Sequence, residues 1–160
     1  MSLEKIKSRE EISRIVRRER AQGRWIVFTN GCFDLIHVGH VRLLERARSK
    51  GDCLIVGLNS DASIRRIKGD NRPILDEDQR GRIMASFRAV HYVVFFEEDT
   101  PEALIRELSP DVLIKGGDYQ MDEVVGREIV WDAGGEVVLC APLQNRSTSA
   151  IIRNIIERFT

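Results

Sequence analysis

The sequence predicts a doubly wound α/β domain, with about five parallel strands and helices on both faces of the sheet. Short apolar runs of strand length alternate along the chain with longer runs whose apolar residues recur at helical spacing. No internal repeat or low-complexity linker interrupts this alternation. Strands that alternate with helices pair in parallel, because each helix carries the chain back across the sheet before the next strand begins.

Length and composition indicate one globular domain. The 160 residues suffice for one substantial core but would be cramped as two domains, so we expect a single domain over residues 1–160. Hydrophobic residues make up 42% and charged residues 31% of the chain, which is typical of globular proteins. The 25 basic and 25 acidic side chains cancel, which disfavours nucleic-acid binding but leaves room for a local basic pocket.

Cysteine usage and the N-terminal sequence favour a cytoplasmic location. Cys32, Cys53 and Cys140 lie far apart and form no CxxC pair, which argues against a disulfide framework or a structural zinc site. The N-terminus is rich in charged residues, so no signal peptide is expected. No apolar run reaches the length needed to cross a bilayer, so no membrane partner is expected.

The first predicted element is an amphipathic helix over residues 8–22, in an N-terminal segment (residues 1–23) that packs on the domain. Ser8 is its predicted N-cap, and Glu11 three positions later completes a capping box. Gly23 ends the helical pattern.

The strands and helices that follow alternate regularly. The predicted strands cover residues 25–28, 53–58, 91–96, 112–115 and 136–139. The predicted helices cover residues 41–50, 76–89, 122–133 and 147–159, with a further short helix that begins at Pro101 and is capped by Asp99 or Thr100. The last helix is expected to turn four isoleucines toward the core: Ile151, Ile152, Ile155 and Ile156.

The apolar density falls over residues 62–80, where Lys68, Gly69, Asn71, Arg72 and Pro73 are predicted to form a basic, turn-rich connection. Lys68, Arg72 and Arg80 form the basic cluster of this region. Such cations could belong to a mobile loop that closes over a phosphorylated substrate, or they could simply be solvated.

Polar residues that can carry chemistry follow several of the predicted strands. The carboxyl ends of parallel strands meet at one edge of a sheet, and ligands of such sheets bind there. We therefore expect one site at this edge, built from Thr29–Asp34, Asn59–Asp61, Lys115–Asp118 and Asn145–Ser149.

The stretch Thr29–His40 is the best candidate for a phosphate site within that edge. It joins the first long strand to a helix, and helix N-termini bind phosphate through free N–H groups and the helix dipole. His37 and His40, two of only three histidines, lie three positions apart and share a helix face. Gly39 between them leaves space for a close approach of the ligand.

Four motifs in this order resemble those of the HxGH nucleotidyltransferase superfamily: Asn30–Asp34, His37–His40, Lys115–Tyr119 and Ser147–Ser149. The resemblance covers residues 23–160 and implies a Rossmann-like sheet. Within the superfamily, the chain is similar to the adenylyltransferases that form ADP-heptose. This closer similarity rests on Thr29–Asp34, Asn59–Asp61, Lys68–Gly69, Arg72–Pro73, Phe96–Pro101 and Lys115–Tyr119.

The resemblance implies roles for the residues of these motifs. His37 and His40 would hydrogen-bond the triphosphate and stabilise the charge that develops on the α-phosphate, and Lys68 and Lys115 would add catalytic cations. The nucleotide would be bound by Thr29, Asn30, Gly31, Phe33, Asp34, Gly39, His40, Gly117, Asp118, Arg146, Ser147 and Thr148.

Simpler explanations remain open for several of these residues. The histidines could be a metal pair, but metal binding requires further ligands and only Asp34 is close in sequence. Asp34 could instead cap the next helix, and Ser147 and Thr148 are favoured as helix caps whatever the function. The glycines after Lys115 could serve turn geometry alone.

The implied reaction transfers AMP from ATP, with Mg²⁺, to D-glycero-β-D-manno-heptose 1-phosphate by in-line attack on the α-phosphate. No covalent intermediate is needed, so Cys32 is expected to be dispensable, and no protein metal ligands are predicted. The resemblance also implies a homo-oligomer and a role in bacterial surface glycans such as lipopolysaccharide core. Relatives are often fused to a sugar kinase domain, for which 160 residues leave no room, so we expect a separate sugar kinase upstream.

Three other functions compete with this one. The chain could be a cytidylyltransferase for glycerol 3-phosphate or phosphoethanolamine, or a nucleotide sensor without catalysis. A redox dinucleotide-binding domain is disfavoured, because no GxGxxG motif follows the first strand.

Overall fold

The computed structural model describes residues 3–117, 119–141 and 147–159. Over these residues, the strands are β1 Ile6–Lys7, β2 Ile26–Gly31, β3 Cys53–Asn59, β4 Tyr92–Phe96, β5 Val112–Gly116 and β6 Glu136–Cys140. They form one parallel sheet in the order β1-β4-β3-β2-β5-β6. The helices are α1 Arg9–Ala21, α2 Val38–Arg48, α3 Asp61–Lys68, α4 Glu77–Ser86, α5 Glu102–Leu108, α6 Arg127–Asp132 and α7 Thr148–Phe159.

This architecture confirms the predicted α/β class and its parallel sheet. All five predicted strands are present, and the strand that was not predicted, β1, contains only two residues. The predicted capping box of α1 also forms: Ser8 Oγ accepts from Glu11 N, and Glu11 Oε2 accepts from Ser8 N. None of the helices in the described part of the chain has the length and apolar character that a membrane crossing requires.

Neighbouring residues of each strand point to opposite faces of the sheet, and here both faces are buried. On one face, Phe28 of β2 packs in a cluster with residues of α1 and α5, such as Ile12 and Leu104. On the other face, Val27 packs in a cluster that includes Leu44 of α2. Helices therefore cover both faces, and the polar rim at the strand ends remains accessible.

Before the turn-rich connection lies α3, a helix that the sequence analysis does not predict. Ser60 Oγ caps this helix by accepting from Ser63 N at 3.1 Å, and Ile64 is fully buried. The apolar density is low because only one face of this short helix meets the core.

Three further predictions about helices are corrected. The predicted helix 122–133 is interrupted: a single 3₁₀ turn covers Met121–Glu123, and α6 begins only after Gly126, which has a φ of +86°. At α5 the N-cap is Pro101, with no side-chain cap from Asp99 or Thr100. In α7, Ile155 was expected to face inward but is 50% exposed, and no residue of the helix is buried.

Arg80 is fully buried in α4 and joins the carboxyl ends of β2 and β3 from beneath. Its Nη1 donates to the carbonyl of Cys32 at 2.7 Å, directly after β2. Its Nη2 donates at 2.8 Å both to the carbonyl of Asn59 in β3 and to Oδ1 of Asp61. Its Nε donates to the carbonyl of Leu75 at 3.1 Å.

Asp34 binds the connection before α4 as well, through its negatively charged carboxylate. Its buried carboxylate accepts from the backbone N–H groups of Ile74 and Leu75, each at 2.9 Å, and from Arg72 Nε at 2.8 Å. Burial alone would raise the pKa of Asp34, but these donors outweigh it and hold the pKa below its usual value. The peptide groups of Leu75 are thus bound through both N–H and carbonyl, which fixes the segment Cys32–Asp34 to the connection before α4.

We predict that Arg80→Met lowers the free energy of unfolding by about 3 kcal/mol or more, because three backbone carbonyls and Asp61 lose a fully buried cationic donor. Urea denaturation measures the change. Arg82→Met on the same helix is the matched control: its pair with Asp78 is exposed, so the change should stay within about 0.5 kcal/mol. Equal losses in the two variants would contradict the anchoring role of Arg80.

Candidate active site

The N-terminus of α2 brings the two predicted histidines together. His37 is the N-cap, and its Nδ1 accepts from Gly39 N at 3.1 Å. Nδ1 of His40 accepts from His37 N at 3.3 Å, and the two ring centroids are 3.8 Å apart. Because both Nδ1 atoms accept hydrogen bonds, each neutral ring carries its proton on Nε2 and can donate from that atom.

His40 lies in an apolar setting that keeps it neutral. Burial, with a smaller contribution from His37, lowers the pKa of His40 to about 4. The ring of Phe33 packs against it with centroids 5.1 Å apart. Phe33 is itself buried and holds a left-handed backbone conformation with a φ of +45°, a strained state for a side chain of this size. Burial also lowers the pKa of His37, so both imidazoles are neutral hydrogen-bond donors near pH 7.

Lys115 places a buried cation at the end of β5. Its Nζ donates to Oδ1 of Asn30 at 3.2 Å and to the Asn30 carbonyl at 3.3 Å, and it lies 5.2 Å from the centroid of the Tyr119 ring. Burial lowers the pKa of Lys115 to about 8, so the ammonium is still mostly charged at pH 7. Gly117 follows with a φ of +123°, which supports the view that this turn needs its glycine for backbone geometry.

The start of α7 lies against the loop between β2 and α2. Thr148 Oγ1 donates to the carbonyl of Leu35 at 3.1 Å, which ties the helix to that loop. Ser147 Oγ accepts from Ala150 N at 3.1 Å, so it serves as a helix cap. The capping explanation therefore holds for Ser147, while contact of either hydroxyl with phosphate stays a prediction.

Two adjoining cavities open at this edge of the sheet. The first cavity has a volume of about 170 Å³, and the residues that line it but not the second are Phe33, Asp34, His40, Leu43, Arg72, Gly116 and Thr148. The second, of about 280 Å³, is bounded by Asn59, Ile67, Lys68, Asp99, Thr100, Pro101, Glu123 and Val125. The wall between them is common to both and consists of Asn30, Gly31, Cys32, Lys115 and Tyr119. Lys115 is therefore a cation that faces both compartments.

Most of the predicted site residues meet here, with some exceptions. Thr29 is fully buried beneath the site, and its Oγ1 has no hydrogen-bond partner among the described residues. Gly39 shapes the start of α2, where its N–H donates to Nδ1 of His37. Neither Gly39 nor His37, Gly117 or Ser147 lines the described part of either cavity. Asp118 and Arg146 lie outside the described residues.

The predicted basic cluster is corrected. Arg80 is fully buried with its guanidinium bound to backbone carbonyls, so it cannot close over a substrate. Arg72 lines the first cavity while paired with Asp34, and Lys68 lines the second. The cap of α2 is His37 rather than Asp34, whose carboxylate faces Arg72 and the Leu75 segment instead.

Sequence reasoning did not place Asn59, Thr100, Tyr119 and Glu123 as neighbours in one cavity. Asn59 and Tyr119 stand at strand-end motifs, which is a usable signal. Thr100 was assigned to a helix cap and Glu123 to a helix interior, and no local pattern marks either as part of a cavity wall.

The described residues offer neither a metal cluster nor an activated thiol. Within residues 3–117, 119–141 and 147–159, no three His, Cys, Asp or Glu side chains converge to hold a metal ion. Burial raises the pKa of Cys32 in spite of the nearby cations Lys68, Arg80, Arg72 and Lys115, so its thiol is protonated and a poor nucleophile. The site can therefore bind and stabilise anions but has no evident covalent catalyst.

Comparison with known proteins gives a family match over most of the chain. The cytidylyltransferase-like family model matches residues 28–154. The chain is 54% identical over 156 residues to the bifunctional protein HldE of Trichlorobacter lovleyi, and 53% identical over 154 residues to that of Wolinella succinogenes. These alignments cover 98% and 96% of this chain but only 32% of each relative, so the chain spans about a third of their length.

Two solved structures resemble the fold. A lipopolysaccharide core biosynthesis protein from Thermoplasma volcanium has a TM-score of 0.61 and 25% identity, with 75% of this chain and 97% of that chain covered. A pantoate-beta-alanine ligase from Francisella tularensis, crystallised with an ATP analogue and beta-alanine, has a TM-score of 0.62 and 17% identity. That match covers 95% of this chain and 78% of the ligase, and at this identity it supports the fold alone.

We predict that the His40 imidazole titrates near pH 4 in the folded protein, as its lowered pKa requires. Unfolded histidines bind protons near pH 6.5, so the unfolded state holds the extra proton between these values. The contribution of His40 to the free energy of unfolding should thus fall as the pH drops from about 6.5 to about 4. Imidazole NMR signals follow the titration, with the urea-unfolded chain as the reference. A folded-state midpoint near 6.5 would contradict the described burial.

Proposed function

The chain belongs to the cytidylyltransferase-like family, and from that premise we propose that it catalyses transfer of AMP from ATP to a sugar 1-phosphate. The proposed acceptor is D-glycero-β-D-manno-heptose 1-phosphate, and the products are ADP-heptose and pyrophosphate. The observation that carries the proposal is a pair of neutral histidines at a helix N-terminus, beside a lysine that borders two adjoining cavities. Two compartments with a common cation suit two phosphorylated substrates that must meet.

The first cavity is the proposed triphosphate side. His40, Arg72 and Lys115 contribute donors around it, and Thr148 brings the N-terminus of α7 to its wall. Free N–H groups at the start of a helix favour phosphate oxygens. Nε2–H of His40 would donate to the α-phosphate and stabilise the charge that develops there during attack.

The second cavity is the proposed acceptor side. Lys68 and Lys115 supply cations for the acceptor phosphate. Because Lys115 also borders the first cavity, an acceptor phosphate bound beside it would lie next to the α-phosphate. Holding both reactants in one arrangement lowers the entropic part of the barrier.

The proposed chemistry is one displacement at phosphorus. A phosphate oxygen of the acceptor forms a bond to the α-phosphorus, the bond to the bridging oxygen of the β-phosphate breaks, and pyrophosphate leaves with the electron pair. The attacking oxygen is already deprotonated near neutral pH, so no general base is required. The neutral imidazoles and the lysines then act by positioning and charge stabilisation.

Mg²⁺ is proposed to enter with the nucleotide. It prefers phosphate oxygens and water, and it commonly needs only one or two protein carboxylates. This fits a site whose described residues gather no cluster of three metal ligands. When bound, the ion would neutralise part of the triphosphate charge.

The rival functions receive less support. Membership of the cytidylyltransferase-like family is compatible with a glycerol 3-phosphate cytidylyltransferase. The 54% identity to a bifunctional HldE protein over nearly the whole chain favours the ADP-heptose reaction instead. A sensor without catalysis would not need donors directed at the α-phosphate. By the same resemblance we propose a cytoplasmic homo-oligomer.

A panel of nucleotides and acceptors tests the proposal. We expect pyrophosphate release to be fastest with ATP and D-glycero-β-D-manno-heptose 1-phosphate, with CTP, glycerol 3-phosphate and phosphoethanolamine as the comparison arms. Faster release with CTP and glycerol 3-phosphate would favour the cytidylyltransferase alternative. ATP binding without release in any arm would favour the sensor.

Substitution within the first cavity tests the role of His40. His40→Ala should lower kcat by about 10²–10³-fold, because a donor to the transition-state charge is lost, while the Kd for ATP changes far less. Cys32→Ala, in the wall of the same cavity, is the control and should keep nearly full activity. Equal losses of turnover and ATP affinity in His40→Ala, or a folded but inactive Cys32→Ala, would contradict these roles.

A further inference from the structure

The second cavity carries hydrogen-bond acceptors that its proposed phosphate ligand does not need. Asp99 and Glu123 line this cavity but not the first, and Thr100 lies beside them in its wall. A phosphate group would be repelled by the two carboxylates, so they are unsuited to the anionic end of a ligand. The only carboxylate that lines the described part of the first cavity, Asp34, is already bound by Arg72 and two backbone N–H groups.

These acceptors retain unused capacity. Glu123 Oε2 accepts from Gln120 N at 2.7 Å, and its Oε1 has no hydrogen-bond partner among the described residues. Asp99 Oδ1 binds Arg66 Nε at 2.7 Å, and its Oδ2 is likewise unpartnered within the described part of the chain. The same holds for the Thr100 hydroxyl. Each carboxylate is thus held in place through one oxygen and can accept from a ligand with the other.

The charges around the cavity favour a neutral, hydroxyl-rich body attached to a phosphate. Lys68 and Lys115 place two cations in this cavity, and Lys115 lies in the wall that is shared with the first cavity. The end of the second cavity nearest the first therefore suits a phosphate. Arg66 pairs with Asp99, which reduces the negative charge that the body of the ligand meets. A short acceptor such as glycerol 3-phosphate has too few hydroxyls to satisfy all the free acceptors.

We propose that Glu123 and Thr100, with support from Asp99, select the acceptor by binding the hydroxyls of its sugar ring or side chain. This inference deepens the proposed function and rests on it, because it takes the second cavity as the acceptor side. Glu123, Thr100 and Asp99 are exposed at this cavity, so an analogue without the matching hydroxyl would bind less tightly because it does not form the hydrogen bond.

Glu123→Gln tests the proposal with little disturbance of the fold. The amide oxygen can still cap Gln120 N, but the other position becomes a donor and can no longer accept from a hydroxyl. We expect KM for the heptose 1-phosphate to rise about ten-fold or more, the loss typical of one hydrogen bond to a charged group, with KM for ATP unchanged. The preference for the heptose 1-phosphate over glycerol 3-phosphate should shrink by the same factor.

Two further variants make the result decisive. Thr100→Val removes the hydroxyl at nearly constant volume and should raise the same KM, which keeps the test open if Glu123→Gln folds poorly. Glu128→Gln is the matched control on α6, where the carboxylate pairs with Arg127 at the surface and lines neither cavity in the described part of the chain, and its kinetics should equal those of the wild type.

The outcomes separate this inference from the function beneath it. A wild-type protein that fails to use the heptose 1-phosphate overturns both. A wild type that uses it, with unchanged KM for the sugar phosphate in both Glu123→Gln and Thr100→Val, overturns the selection role alone. A rise confined to these two variants, with ATP kinetics and thermal stability preserved, supports it.

Discussion

The site depends on how one loop is held against the connection that precedes α4. Asp34 accepts from the Leu75 N–H and Arg80 donates to the Leu75 carbonyl, so two buried side chains of opposite charge both bind Leu75. Arg80 also binds the carbonyls of Cys32 and Asn59, which follow or end the two central strands. Buried charges are costly unless they are hydrogen-bonded, and here every guanidinium nitrogen of Arg80 and both carboxylate oxygens of Asp34 have partners. The loop after β2 therefore has one position relative to the neighbouring strand.

That fixed loop sets the electrostatics of the site above it. It places Phe33 against His40, and burial then keeps the imidazole uncharged at neutral pH. The end of β2, directly before this loop, places the Asn30 oxygens where they bind the Lys115 ammonium in the wall between the two cavities. A neutral donor and a positive charge stand side by side without a metal cluster or a reactive thiol among the described residues. Such a set is suited to charge stabilisation at phosphorus rather than to covalent catalysis.

Much of the fold could be predicted from the sequence because the central strands are buried on both faces and appear as short apolar runs. The histidine pair and the Ser8 cap were also visible, since their partners lie within three residues. The contacts of Arg80 were not, because its carbonyl partners at Cys32 and Asn59 are 48 and 21 positions away. Residues of the second cavity such as Glu123 were missed for the same reason. Local periodicity in the sequence reveals individual helices and strands, whereas a cavity wall is built from residues of several helices, strands and loops.

The proposed reaction is a single displacement between two substrates that occupy adjoining cavities at the same time. Its most direct test is the stereochemical course at the α-phosphorus. The enzyme would be given one diastereomer of adenosine 5′-(1-thio)triphosphate with the heptose 1-phosphate, and ³¹P NMR would assign the configuration of the sugar nucleotide product. One in-line step predicts inversion. Retention would require two displacements through a covalent enzyme intermediate and would contradict the account.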